Sequence, residues 1–234
     1  MSKRKGRRNP TRSKTRYYLL GVVAVVVIVG FLFLSSSLTT RTKPVILYVN
    51  QGNGVVDGSN FAGLLETSSS HGFNTIFFQV YRSGTLLFTD SSLNQLAASA
   101  HGKGLKIFFA LYFTNPTQKI PASIYSDGED GINLDMSTLP IDAQTALFDS
   151  LSSAYSGQTA ITTTNPNLAL HPKMLIVETY GAGNDQYVRH GIIASVGVFA
   201  TSSRQDYDQQ FQNALNNSDG VMVFDYAGLL KAGY

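Results

Sequence analysis

The sequence predicts an α/β chain, a compact or reduced (β/α)8 TIM-type barrel preceded by one transmembrane helix. Three observations carry that expectation. From Val45 onward, short β-branched apolar runs alternate with amphipathic stretches, the pattern of parallel strands joined by right-handed helical crossovers. Two consecutive segments, LLETSSSHGFNTIFFQVY and LAASAHGKGLKIFFALYF, repeat one order of helix, His-Gly and strand. Ahead of both, a charge discontinuity separates a membrane segment from the folded part.

Residues 1–16 hold eight Lys and Arg and no acid, and all fifteen Asp and Glu lie further on. Tyr17–Leu34 (YYLLGVVAVVVIVGFLFL) carries no charge. As a helix it spans about 27 Å at ~1.5 Å per residue, close to a hydrocarbon core, and Leu38 extends the apolar stretch. A cleavable signal peptide has a shorter apolar region and a small-residue cleavage site, whereas this run is followed by SSSLTTRTK. The expected organisation is a basic cytoplasmic tail at 1–16, an uncleaved signal anchor at 17–38, a stalk at 39–44 and an extracytoplasmic barrel at 45–234. Cytoplasmic loops carry the excess of Lys and Arg, so the N-terminus stays inside.

The whole-chain net charge of +3 comes from the tail. Beyond it, ten basic residues face fifteen acids, with no basic stripe, so nucleic acid is not an expected partner. The chain has no cysteine, which rules out disulfides, thiol catalysis and Cys-ligated zinc. About 190 residues suffice for one sizeable core, but lie just below the usual lower limit of about 200 for a full barrel, so some helices must be short or missing.

The elements follow in order. VILYVN (45–50), apolar throughout, reads as a strand buried on both faces. Phe61, Leu64 and Leu65 have helical spacing over 61–70. NTIFFQVY (74–81) is the second strand, 93–100 a helix, and LKIFFALYF (105–113) the third strand. The Gly of each His-Gly pair suits a left-handed helix end, and His71 and His101 can meet free carbonyls in the last turn. No helix fits 114–129. GINLDMST (131–138) is a short strand and 141–155 a helix. TAITTTN (159–165), KMLIVETY (173–180) and IIASVGVFATS (192–202) are strands. Residues 206–215 form a helix, GVMVFDY (220–226) the last strand, and AGLLKAG a helical stub. An open doubly wound sheet is the alternative, but no G-x-G-x-x-G or P-loop follows any strand.

In a barrel, functional groups gather where strands end. Asn50, Gln79, Asp135, Glu178 and Asp225 fall at or near such ends, with Tyr48, Tyr81, Tyr112, Tyr180 and Tyr226 close by. Carboxylates, amides and tyrosines suit a carbohydrate: acids serve the glycosidic oxygen, amides bind hydroxyls, and ring faces stack on sugar C–H surfaces. Glu178 closes an apolar run, so desolvation should raise its pKa toward that of a general acid, with Asp225 or Asp135 as partner. The ordinary alternative is that a strand-end acid caps the next helix. His171 and His190 lack an H-x-H or H-x-x-x-H partner, so no metal site and no cofactor is expected.

GFNTIFFQVYRSGTLLFTDS and HGKGLKIFFALYFTNP resemble the second and third β/α units of the glycosyl-hydrolase-like barrels, with Asn74, Gln79, Val80, Gly84, His101 and Gly104 matching. DGINLDMSTLP resembles their D-G-I-x-x-D strand and DGVMVFDYAGLL their last strand. Where those families carry Arg after Gln-Val, this chain has Tyr81, with Arg82 one place later. The resemblance implies a barrel with Asp135 at the acid of its strand and Arg82 among the substrate-binding groups. The expected function is a membrane-anchored glycoside hydrolase-like protein acting on envelope polysaccharide. A non-catalytic glycan-binding or structural envelope barrel is the alternative, and the absence of Trp leans toward it.

Overall fold

The computed structural model describes residues 42–51, 60–126, 128–180, 184–198, 203–231 and 233. The chain divides into two units, Met1–Thr42 and Lys43–Tyr234, and only the second falls within the described residues to any extent. The expected tail, the 17–38 anchor and most of the stalk lie outside them. Among the described residues no helix is long and apolar enough to cross a membrane.

The second unit is a closed parallel barrel. In chain order its elements are β1 (Val45–Val49), α1 (Phe61–Ser70), β2 (Thr75–Arg82), β3 (Thr85–Leu86), α2 (Asp90–Gly102), β4 (Lys106–Tyr112), β5 (Gly131–Asp135), α3 (Ile141–Ala154), β6 (Gln158–Thr163), β7 (Met174–Glu178), β8 (Ile193–Gly197), α4 (Arg204–Asn217), β9 (Val221–Phe224) and α5 (Tyr226–Lys231). Strands β1, β2 and β4 to β9 pair in parallel, each with its neighbour in sequence, and β9 returns to β1. That closure excludes the open sheet. The short β3 folds back antiparallel on β2. Pairing of β2 with β4 is parallel throughout, as a helical crossover requires.

The alternation along each strand separates two apolar layers. Ile46, Tyr48, Phe77, Phe108, Ala110, Ala160, Ile176, Ile193 and Met222 form one buried cluster that fills the barrel. Their neighbours in sequence, such as Leu47, Ile76, Phe78, Phe109 and Val223, join the larger cluster between strands and helices. The strands read as unbroken apolar runs because both faces are covered. Each fully buried Phe or Ile removes enough surface from water to contribute roughly 1.5–3 kcal/mol.

The barrel is reduced on its helical side. A 3-10 turn at Ala122–Ser126 stands where a helix would follow β4, and another at Asn184–Tyr187 lies between β7 and β8. β6 runs to β7 with no helix. Helix starts are capped where the sequence allows: Thr89 accepts from Ser92 N and Ser203 from Asp206 N.

Two readings are corrected. The strand expected over 192–202 ends at Gly197, and residues 199–202 lie outside the described ones. The two His-Gly pairs are not equivalent. Gly72 is left-handed (φ 77°) and His71 Nδ1 lies 2.9 Å from Thr67 O, as expected. In the second unit α2 runs through Gly102, and the left-handed residue is Gly104 (φ 73°). His101 instead meets Asp130 Oδ2 at 2.9 Å.

The end of the barrel where strands begin is tied by repeated Asp-Gly steps. Asp130 accepts from Ile107 N (2.9 Å) and donates its own N–H to Ile107 O. Asp219 accepts from Gly191 N (3.1 Å), pairs with His190 and donates its N–H to Ile192 O. Asn74 accepts from Val45 N and donates to Lys43 O. Several residues behind the family resemblance therefore do structural work at this end.

Candidate functional site

The opposite end, where the strands finish, carries the polar groups. Period two puts Asn133 and Asp135 of β5 on the face of Gly131, and Glu178 of β7 on the face of Ile176, so both acids turn toward the barrel axis. Asp135 is 4% exposed and Glu178 half-buried. Tyr48 donates to Asp135 Oδ2 at 2.9 Å, and Ser137 Oγ donates to Oδ1 at 3.3 Å. The Gln79 side chain hydrogen-bonds the Tyr48 hydroxyl, and its Oε1 accepts from Gln51 N at 3.0 Å. Across the mouth, Tyr180 hydrogen-bonds Glu178. Phe224 joins the two tyrosines, with ring centroids 4.9 Å from Tyr48 and 6.2 Å from Tyr180.

The electrostatics follow from burial in a low-dielectric interior. Burial pushes the Asp135 carboxyl up to about 7, and the charge of Glu178 adds to the rise. Hydrogen bonds from Tyr48 and Ser137 hold it back. Burial, then the charge of Asp135, raises Tyr48 well above the usual phenol, so its hydroxyl stays a donor. Tyr180 is raised by burial and then by Glu178.

Asp225 is buried at 7% exposure and its Oδ1 accepts from Gly228 N at 2.9 Å, which caps the first turn of α5. Its charge still reaches Tyr180, so it borders the same mouth. Tyr112, half-buried, ends β4 in register with Asp135. Asn50 follows β1 and is half-buried.

Two tyrosines expected on the wall are elsewhere. The register of β2 against β4 slips between Gln79 and Tyr81, so Val80 and Tyr81 both face outward. Tyr81 packs in the outer layer on Phe113, centroids 5.2 Å apart. The bulge returns Arg82 to the face of Gln79, opposite Tyr112. Tyr226 sits in α5 and is buried in the outer cluster. The distinction was not visible in the sequence, because a bulge shifts every later side chain to the other face.

Sequence reasoning missed the polar layer beneath the acids. Asn133 is fully buried, accepts from Thr162 Oγ1 at 3.1 Å, and its Nδ2 has no partner among the described residues. Ser195, in register with Glu178, is fully buried with its Oγ likewise unpartnered. Asn133 lies two residues before Asp135, so alternation alone could have found it. Among the described residues no three His, Asp or Glu side chains gather as a metal site. A groove of about 490 Å3 lies outside the barrel between α1 and α2, lined by Phe61, Leu65, Phe88 and Leu96.

Comparison with solved structures agrees with the architecture. A noncanonic maltogenic alpha-amylase from Thermotoga neapolitana superposes with a TM-score of 0.54 at 11% identity, over 82% of this chain and 69% of that one. An HpcH/HpaI aldolase from Desulfitobacterium hafniense gives 0.48 at 7% identity, covering 86% and 93%. The pneumococcal exo-beta-D-N-acetylglucosaminidase, in a structure of its GH20 catalytic modules, gives 0.48 at 8%, covering 79% of each. At such identities the likeness concerns the fold alone, and the amylase superposition agrees with the (β/α)8 barrel that the strand pairing closes. No family model and no curated protein matches the sequence.

Proposed function

We propose that this chain is a membrane-anchored, extracytoplasmic glycoside hydrolase-like protein acting on envelope polysaccharide. The observation that carries the reading is a pair of inward carboxylates, Asp135 and Glu178, on different strands at the C-terminal mouth of the barrel. They are electrostatically coupled, and each is hydrogen-bonded by a tyrosine. The anchor rests on the uncharged 17–38 stretch and the basic residues before it.

The roles differ from the sequence expectation. Burial raises the Asp135 carboxyl to about 7, so near neutral pH it is still partly protonated and serves as general acid. Tyr48 donates to Oδ2, so the transferable proton sits on Oδ1, with the rotatable Ser137 hydroxyl turned to accept from it. Glu178 is the carboxylate that acts as base or nucleophile. Asp225 caps α5 and borders the mouth. Gln79 orients Tyr48, and Tyr112 and Tyr180 flank the sugar.

The near-complete burial of Asp135 favours a second reading, a barrel that binds glycan without cleaving it. The test separates them. Wild type and Glu178→Gln are compared on a panel of envelope polysaccharides, scoring binding and release of reducing ends. The hydrolase reading expects wild-type turnover and a loss of roughly 10²–10⁴-fold in the variant, with binding retained. Wild type that binds but releases no reducing ends establishes the second reading.

A further inference from the structure

We infer that the site is built for an acidic glycan, and that Arg82 receives an oxyanion substituent, carboxylate or phosphate, on a sugar beside the reacting one. This rests on the reading of the mouth as a glycan site and adds its substrate class.

Arg82 is without a partner among the described residues. The β-bulge at Val80 turns it to the inner face, in register with Tyr112, which is itself in register with Asp135. Arg82 and Asp135 thus stand in one row, two strands apart, roughly 10 Å at the usual strand spacing. That separation leaves room for a neighbouring sugar.

The backbone at Arg82 is fixed. Ser83 (φ 50°) and Gly84 (φ 100°) form the two-residue turn into β3, both left-handed as tight hairpins require. Ser83 N donates to Tyr112 O at 3.0 Å, and Thr114 Oγ1 donates to Ser83 Oγ at 3.1 Å.

Ion pairs among the described residues include His101–Asp130, Lys103–Glu66 and His190–Asp219, and Arg82 is in none of these. Its guanidinium makes no hydrogen bond among the described residues, although the residue as a whole is half-buried. A guanidinium carries five N–H donors and no acceptor, so a carboxylate, phosphate or carbonyl is its natural complement. The planar fork matches a carboxylate or phosphate, and such charge-assisted pairs are the stronger hydrogen bonds. Among the described residues no carboxylate pairs with Arg82, which leaves its fork open to an anion on the ligand.

The test uses the full chain in detergent micelles and isothermal titration calorimetry. Three probes are compared: tetragalacturonate, its methyl ester with the same skeleton and no charge, and poly(glycerol phosphate). Wild type should bind at least one anionic probe about 10- to 100-fold more tightly than the ester. Tighter tetragalacturonate identifies a carboxylate substituent, and tighter poly(glycerol phosphate) identifies a phosphodiester. Arg82→Gln should bring the favoured probe to within a few-fold of the ester, and Arg82→Lys should keep part of the preference. Equal wild-type affinity for all three probes, or no binding of any, overturns the inference whatever the variants do. So does a folded Arg82→Gln that keeps the preference. An Arg82-dependent preference without release of reducing ends removes the hydrolase reading and leaves this inference standing. Cleavage of neutral glycan with no such preference does the reverse.

Discussion

Replacing Asp135 with Asn should make the barrel more stable at pH 8, and the gain should vanish near pH 4. A carboxyl raised to about 7 in the folded state, against an ordinary 3.8, binds its proton more tightly folded than unfolded. Between those values folding takes up a proton, so the stabilisation belongs to the acid side and is lost as pH rises. At ~1.4 kcal/mol per pH unit the interval gives an upper bound of about 4 kcal/mol. Local relaxation and water entry reduce it, so a gain of roughly 2–4 kcal/mol is expected at pH 8. Asn keeps an oxygen for the Tyr48 hydroxyl, offers Nδ2–H to Ser137 Oγ, and removes the repulsion with Glu178. The assay is guanidinium unfolding of the full chain in detergent at pH 5, 6.5 and 8. With twelve Tyr and no Trp, tyrosine fluorescence reports directly beside far-UV circular dichroism. Wild type should lose stability between pH 5 and 8 while the variant stays nearly flat. Parallel pH profiles, or wild type gaining stability with pH, would refute the argument. The same substitution should abolish turnover, the stability–function opposition expected of a strained acid pair.

Tyr48→Phe removes a hydrogen bond that favours the charged form of Asp135, so the Asp135 titration should move further up, read from the carboxyl C=O infrared band, with a loss of about 1 kcal/mol in stability. Gly131→Ala should lower stability by roughly 1–3 kcal/mol in thermal unfolding, because a Cβ there meets the Phe108 ring and lies 2.5 Å from Gln158 O; Gly63→Ala, with nothing within 4 Å, should be neutral or stabilising. Protease added to intact cells should degrade residues beyond 44 and spare the basic tail, and a protected barrel would refute the orientation read from residues 1–38.

The sequence alone determined the parallel barrel and its reduced helical layer. The reason is local: strands covered on both faces must be apolar throughout, as in VILYV and KIFFALY, and a crossover helix shows its own spacing. It also exposed Asp135 and Glu178, since an acid after an apolar run stands out. What the resemblance motifs do was not separable in one dimension. Asn74, His101 and the Asp-Gly steps tie the end where strands begin, whereas Gln79, Arg82 and Asp135 lie at the other. Only the tertiary structure decided which tyrosines face the mouth, because a bulge at Val80 moves Tyr81 into the outer layer and Arg82 inward. It alone shows the rise in the Asp135 carboxyl, because pKa depends on burial and on groups brought together from β1, β5 and β7, and no spacing along the chain encodes that proximity.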